Sequence, residues 1–271
     1  MRPLTLMLFR TLRDLRGQLI AVALVIACGV AALVGLRSTY VSLKAGQANY
    51  YRLYRFADVF AELKSAPESL ARRILDIPGV QTLETRLMFD VTLDVPGLEE
   101  PATGRIVSIP DATEPVLNRL HLQRGSLPTP GRLDEVVISS AFAEANHLLP
   151  GDRFGAILNG RWRNLTVRGV VLSPEFVYEV QGGASILPDN RRFGIVWMRR
   201  EALAAAFNRQ GAFNNLVIDL ARDANERDVI DALDRILEPY GTLGAYGRKD
   251  QVAYRFLTDE ISQNRATSTY M

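Results

Sequence analysis

Cysteine is almost absent from this chain. Of 271 residues only Cys28 is one, so no intrachain disulfide framework can exist. Histidine is nearly as scarce: His121 and His147 alone leave little from which to build a zinc or iron centre. A large charge excess is missing too. The formal net charge is +2, with Arg2, Arg10, Arg13 and Arg16 against Asp14 at the start, and 28 basic and 29 acidic residues after them. So neutral a body is not expected to bind nucleic acid. No G-x-x-x-x-G-K-[ST] loop occurs, which excludes ATP binding by a Walker motif. The nearest approach to a nucleophile motif, Gly182-Gly183-Ala184-Ser185, is not a G-x-S-x-G elbow, and neither histidine stands in a partner motif. With 48% apolar and 23% charged residues, wholesale disorder and a many-span membrane protein are both excluded.

One long apolar run is present. Gly17 to Leu36 carries no charged side chain and only Gln18 as a polar one. Twenty residues at about 1.5 Å each give about 30 Å, the thickness of a bilayer core. The basic flank before it favours a cytoplasmic N-terminus, and Tyr40, Tyr50, Tyr51 and Tyr54 are placed at or just above the outer interface. A cleaved signal peptide would have a shorter apolar region. A lipobox at Val25-Ile26-Ala27-Cys28 would be followed by a polar tether, whereas Gly29 to Leu36 continue apolar. A retained transmembrane helix is the expectation. Along it Ala23, Ala27, Ala31 and Gly35 recur every four residues, a small-residue stripe that lets a second membrane helix approach closely. Their recurrence is equally what a helix rich in Ala and Gly gives by composition.

Two segments of similar design follow. In the first, Ala57 to Leu63 alternates as a strand, Ser65 and Glu68 have the spacing of a capping box, and Leu70, Ile74, Leu75 and Ile77 line a helix stopped by Pro78-Gly79. A long strand from Val80 to about Val95 completes it. In the second, Leu216, Ile218 and Leu220 line a strand, and Asp223 and Glu226 repeat the capping spacing. A helix stripe of Val229, Ile230, Leu233, Ile236 and Leu237 ends at Pro239 and Gly241, before a short strand from Leu243 to Tyr246. Two strand–helix–strand units of this kind predict a split βαβ sheet; two separate small domains are the other arrangement.

Between them the rhythm changes. GRIVSIP reads as a strand, DATEPVLNRL as a short helix, and DEVVISS as a strand leading into a helix at AFAEANHLL. PGDRFGAILNGRWRNLTVRGVVL reads as a hairpin with Asn159-Gly160 at its tip, and FGIVWM as a strand before the helix MRREALAAAF. Glu99-Glu100 and Asp134-Glu135 read as solvated turns, and Arg191-Arg192 and Arg199-Arg200 as solvated strand edges. No catalytic, cofactor-binding or metal-binding residue is assigned.

Taken together, the LFRTLRDLRGQLIAVALVIACGVAALV start, the ADVFAELK strand, RGSLPTPGRLDEVVISSAFAEANHLLPGDRF, LNGRWRNLTVRGVVLSPEFVY and the closing FNNLVIDL…YGRKDQVAYRFLTDEI resemble the MacB/FtsX-type ABC transporter permeases. The resemblance covers nearly the whole chain. It implies an α+β protein: one N-terminal transmembrane helix, then a split βαβ (porter-like) periplasmic domain with an inserted, mostly-β subdomain. The implied boundaries are a cytoplasmic basic amphipathic segment at 1–16, the membrane helix at 17–36 and a stalk at 37–55. Porter-like halves at 56–103 and 212–250 then flank the insert at 104–211, and 251–271 returns toward a second membrane helix, as in an N-terminal fragment of a longer permease. It also implies a bacterial inner-membrane location with the main domain periplasmic, and no enzyme activity or cofactor in this chain, ATP being bound by a separate ATPase subunit. Its implied partners are that ATPase, a second copy or second permease half, membrane lipids and a periplasmic partner. The substrate class it implies is a lipid, lipoprotein or similar cargo. Two readings of another kind stand beside it: a single-pass anchored periplasmic interaction protein, and an anchored hydrolase with a site built from scattered residues.

Overall fold

The uninterrupted apolar run makes one long helix. In the computed structural model, which describes residues 16–179, 188–255 and 258, helix α1 runs from Arg16 to Leu53, 38 residues or about 57 Å. Ile20, Val22, Leu24, Val25, Ile26, Val30 and Val34 are all exposed along it. A helix apolar on every side is made for lipid or for a partner helix, and this one is long and apolar enough to cross a membrane. Residues 1–49 and 258–271 group as one compact unit and residues 50–257 as another. The basic segment before Arg16, the Gly182–Ser185 stretch and most of the 251–271 return segment lie outside the described residues.

The second unit begins with a four-stranded sheet. Its strands are β1 (Val59–Pro67), β2 (Val80–Arg86), β10 (Ala212–Leu220) and β11 (Thr242–Gly247), in the order β11-β1-β10-β2, all neighbours antiparallel. Helix α2 (Leu70–Leu75) joins β1 to β2, and α5 (Glu226–Leu237) joins β10 to β11. Each pair is separated by a strand of the other unit, so this is the split βαβ arrangement the sequence predicts. Alternation decides the faces. Val59, Ala61, Leu63, Leu216 and Ile218 pack under Leu70, Ile74, Ile77, Val229, Leu233 and Leu237 of the helices, while Phe60 and Val217 face the other way.

Neither predicted capping box forms. Strand β1 continues to Pro67, so Ser65 is still extended, and Ser69 caps α2 without a side-chain bond. The cap of α5 is Asn225, which accepts a hydrogen bond from Arg227 N. Local spacing lost here to strand pairing and to a better-placed cap.

The remaining strands are β3 (Met88–Asp94), β4 (Ala102–Ile109), β5 (His121–Gly125), β6 (Glu135–Ser139), β7 (Arg153–Leu158), β8 (Arg161–Leu172) and β9 (Phe193–Arg199). They are ordered β5-β8-β6-β9-β4-β3-β7, and β7 also pairs with β8. Long β8 serves both ends: Arg161–Thr166 pairs with β7, and Thr166–Val171 with β6. Six strands therefore close on themselves, with β5 added at one edge. Closure hides the strand edges that an open sheet would leave. Asn159 (φ 50°) and Gly160 (φ 74°) make the β7–β8 turn, both in the left-handed region that an Asn-Gly two-residue hairpin uses. Helices α3 (Ser140–Ala145) and α4 (Arg200–Phe207) contribute Phe142 and Leu203 to the core lined by Val91, Leu93, Ile106, Ile138, Phe154 and Val196.

Two expectations fail in this region. The Val80–Val95 strand is broken at Leu87: Arg86 pairs with Asn215 of β10, whereas Met88 pairs with Val107 of β4. The seven-stranded sheet thus starts at Met88, not at residue 104. Alternation continues through the change of partner, so the pattern carries no mark of it. Residues 111–120 form no helix either. Glu84 accepts from Val116 N (2.8 Å) and Leu117 N (3.0 Å), and Asn118 N and Arg119 N donate to the carbonyls of Arg55 and Tyr54. Bonds to distant residues take the donors that a helix would have used.

Candidate functional site: a buried joint between the two sheets

Arg86 is the last residue of β2, one position before the chain leaves the four-stranded sheet. Its guanidinium forks onto Glu175, with Nη2 to Oε1 at 2.8 Å, and Nε and Nη2 donate to Asn215 Oδ1 at 2.9 and 2.7 Å. Both ends of the ion pair are almost sealed from solvent, at 6% side-chain exposure each. Glu175 also accepts from Asn118 Nδ2 (2.7 Å), and its carbonyl accepts from Gln251 Nε2 (2.8 Å). Asn118 Oδ1 in turn accepts from Ala57 N at 2.8 Å. The network therefore gathers β2, β10, the segment after α1, the loop after β4, the loop after β8 and the turn after β11. Burial works to strip the proton from Arg86, but the charge and hydrogen bonds of Glu175 outweigh it and hold the guanidinium more firmly protonated than usual. Glu84, two residues earlier, is driven up by burial despite its bonds from Leu117 N and Val116 N.

A second tie lies alongside. Arg200, the first residue of α4, pairs with Glu68 and donates to the carbonyls of Thr85 and Ala212. Asn214 closes a two-way bond with the backbone of Met88, accepting from N (2.8 Å) and donating to O (2.7 Å). Ser108 exchanges bonds with the backbone of Leu87. Every residue of the crossing segment Thr85–Met88 is thus hydrogen-bonded to a residue distant in sequence.

The end of α1 enters the same region. Tyr51 in its last turn stacks on Phe56 at 4.6 Å between centroids, and Phe56, Phe60, Leu117 and Val217 form a small core on the open face of the four-stranded sheet. The Arg248 guanidinium lies 5.2 Å over the Phe56 ring, donates to the carbonyls of Phe56 and Ala57, and pairs with Asp58 at 2.7 Å. Tyr54 Oη bonds His121 Nδ1 at 2.6 Å. Tyr51 is 6% exposed, so it serves as an anchor in the globular unit rather than at a membrane interface.

Of the residues singled out from sequence, Ala23, Ala27, Ala31 and Gly35 lie along α1, and a Cβ added at Gly35 would meet nothing within 4 Å. His121 begins strand β5 and His147 follows α3. The solvated-edge reading of Arg199 and Arg200 and the solvated-turn reading of Glu135 are corrected. Arg199 is buried, with Nε on the Pro128 carbonyl at 2.7 Å and Nη1 on the Pro110 and Thr113 carbonyls, and Arg200 is the tie just described. Glu135 is buried as well. Burial alone would raise its carboxyl, but the Thr129 hydrogen bonds and the charges of Arg168 and Arg132 hold it below the usual range. Nothing in the sequence pattern marks Glu175 or Glu179. The latter is 5% exposed, accepts from Ser139 Oγ at 2.8 Å, and is pushed up by burial to about 7. Among the described residues no group of histidines, cysteines and acids has the geometry of a metal site.

Comparison with known proteins gives neighbours by structure. No family model matches the chain, and none of the curated proteins does. The extracellular domain of the noncanonic ABC-type transporter YknZ from Gram-positive bacteria is 15% identical, with a TM-score of 0.44, covering 70% of this chain and 98% of that one. The periplasmic region of MacB from Actinobacillus actinomycetemcomitans is 12% identical, with a TM-score of 0.44, covering 78% of this chain and 95% of that one. Both are extracytoplasmic domains, and the chain is similar to them over most of their length.

Proposed function

We propose that this chain is a permease subunit of an ABC-type transport complex, in which a separate ATPase moves an extracytoplasmic domain through a membrane helix. The observation that carries the reading is the end of α1. A helix apolar enough to span a bilayer has its last turn, through Tyr51, built into the core beside Phe56, and that core adjoins the buried joint binding both sheets. Residues 50–257 then respond as one body to displacement at Tyr50–Asp58. The N-terminus is cytoplasmic and the body periplasmic, following the basic flank. The stripe of Ala23, Ala27, Ala31 and Gly35 receives another membrane helix, from a second copy or a second permease half. ATP belongs to the separate subunit, and the cargo is a lipid, lipoprotein or similarly membrane-derived molecule.

Isolation of the full chain from its own membranes tests this. A nucleotide-hydrolysing subunit with a Walker motif is expected to accompany it, and Ala27→Leu with Ala31→Leu is expected to loosen the assembly without unfolding the domain. Recovery of the chain with no such subunit, and an assembly indifferent to both substitutions, would favour an anchored interaction protein.

A further inference from the structure

A cavity of about 210 Å3 lies on the open face of the four-stranded sheet, against β3 and β4. Glu62 and Lys64 of β1 line one side, and Phe89, Asp90 and Arg105 the other, with Leu243 at the rim. Leu243 is 84% exposed, so the cavity opens to solvent. Its charges fall into two classes. Arg105 and Asp90 neutralise each other through a two-pronged bond at 2.8 and 3.1 Å. Glu62 and Lys64 have no ion-pair partner among the described residues, although the Arg105 guanidinium feels the charge of Glu62. The register slips on both sides of β1 here: β1 carries the extra residues between Glu62 and Ala66 on the β10 side, whereas β11 carries the extra residue opposite Ala61–Leu63. Bulges re-aim side chains and gather beside binding sites. The Lys64 stem crosses Gly241, whose φ of 71° suits glycine and where a Cβ would come within 2.9 Å of Lys64 Cδ.

We infer that this cavity binds a small zwitterion: an ammonium group held by Glu62 and a carboxylate or phosphate held by Lys64. The spacing fits, since residues two apart on an extended strand are about 7 Å apart, the reach of two linked opposite charges with a hydrogen bond at each end. A simple anion meets Glu62 as well as Lys64, and a simple cation the reverse, so one charge alone is poorly served. The volume is below the roughly 300–1,000 Å3 of sites for drug-sized ligands, which restricts the ligand to a headgroup or an amino acid. The Phe89 ring and Leu243 supply the apolar wall.

Calorimetric titration of the full chain in a non-ionic detergent tests this, with O-phosphoethanolamine, glycine and phenylalanine as zwitterions and ethanolamine and inorganic phosphate as single-charge probes. A zwitterion is expected to bind saturably, and Glu62→Gln and Lys64→Met each to weaken it about tenfold or more, the loss of one charged hydrogen bond. Preference for O-phosphoethanolamine identifies a lipid-headgroup source, and preference for an amino acid a free solute or peptide end. The inference is overturned if no zwitterion saturates by about 20 mM. It is overturned equally if ethanolamine or phosphate alone binds as well as the zwitterions, or if both substitutions leave binding unchanged. The unsubstituted chain decides the first two outcomes, so the inference stands or falls even where a variant folds poorly.

Discussion

Replacing Arg86 by Met is the sharpest perturbation of the joint. Methionine fills much of the same space but leaves the Glu175 carboxylate, 6% exposed, with only the Asn118 amide as a side-chain donor. Removing one partner of a buried ion pair typically costs about 3–5 kcal/mol. Asn215 Oδ1 also loses both of its guanidinium donors, which adds about 1–3 kcal/mol if it stays dry. The whole stability of a domain is only about 5–15 kcal/mol, so the loss is a large share of it. Both tryptophans, Trp162 and Trp197, lie in the seven-stranded sheet, on β8 and β9. Urea unfolding of the full chain in detergent, followed together by tryptophan fluorescence and far-UV circular dichroism, therefore separates that sheet from the molecule as a whole. The two transitions should coincide in the unsubstituted chain and move apart in Arg86→Met, with the four-stranded sheet lost first. Arg86→Met with Glu175→Leu should recover part of the loss, since no charge is then left buried. A shift below about 1 kcal/mol in Arg86→Met, with coincident transitions, would refute the idea that this pair joins the sheets.

Other consequences follow from the same contacts. Glu179 has a carboxyl raised to about 7 against an ordinary 4.5, so the folded state binds the extra proton. Stability is then greatest below about pH 4.5 as far as this group is concerned, and falls as pH rises through 7, by on the order of 3 kcal/mol. Glu179→Gln should flatten the pH 5–8 part of the stability profile, and an unchanged slope would contradict the burial argument. Phe56→Ala removes a ring that is 2% exposed and stacked on Tyr51, and should cost about 3–5 kcal/mol while speeding amide exchange over Tyr50–Asp58; exchange there at the original rate would count against the anchor. Gly194→Ala would set a Cβ 2.3 Å from Phe142 Cγ, so it should lower the melting temperature through a cost of about 1–3 kcal/mol, relieved by adding Phe142→Leu.

Much of the fold is legible because its elements follow local rules. The twenty uncharged residues before Arg37 announce α1, Asn159-Gly160 announces the β7–β8 turn, and alternation through Val59–Leu63 and Leu216–Ile218 sorts the sheet faces correctly. What stays hidden depends on partners distant in sequence. Leu87 looks like the middle of one strand because its change of partner, from β10 to β4, leaves the alternation intact. Residues 111–120 look helical until Glu84, Tyr54 and Arg55 take up the backbone donors of Val116–Arg119. Strand β5 is exposed at every position and so has no apolar pattern to read. The joint is hidden for the same reason: Arg86, Asn118, Glu175 and Asn215 lie up to 129 residues apart, and each alone looks like an ordinary surface residue. Arg199 and Arg200 were as opaque, since an arginine pair after a strand reads as solvated unless the carbonyls that receive it are known.

The central claim is that movement of α1 reaches residues 50–257 through its last turn. Hydrogen exchange on the complex isolated from its own membranes, compared between nucleotide-free and ATP-trapped states, tests it most directly. The account predicts altered protection confined to Tyr50–Asp58 and the Val116–Arg119 loop that bonds to it, with the cores of β1, β10, β4 and β9 exchanging at unchanged rates in both states. Identical protection of Tyr50–Asp58 in the two states would contradict it.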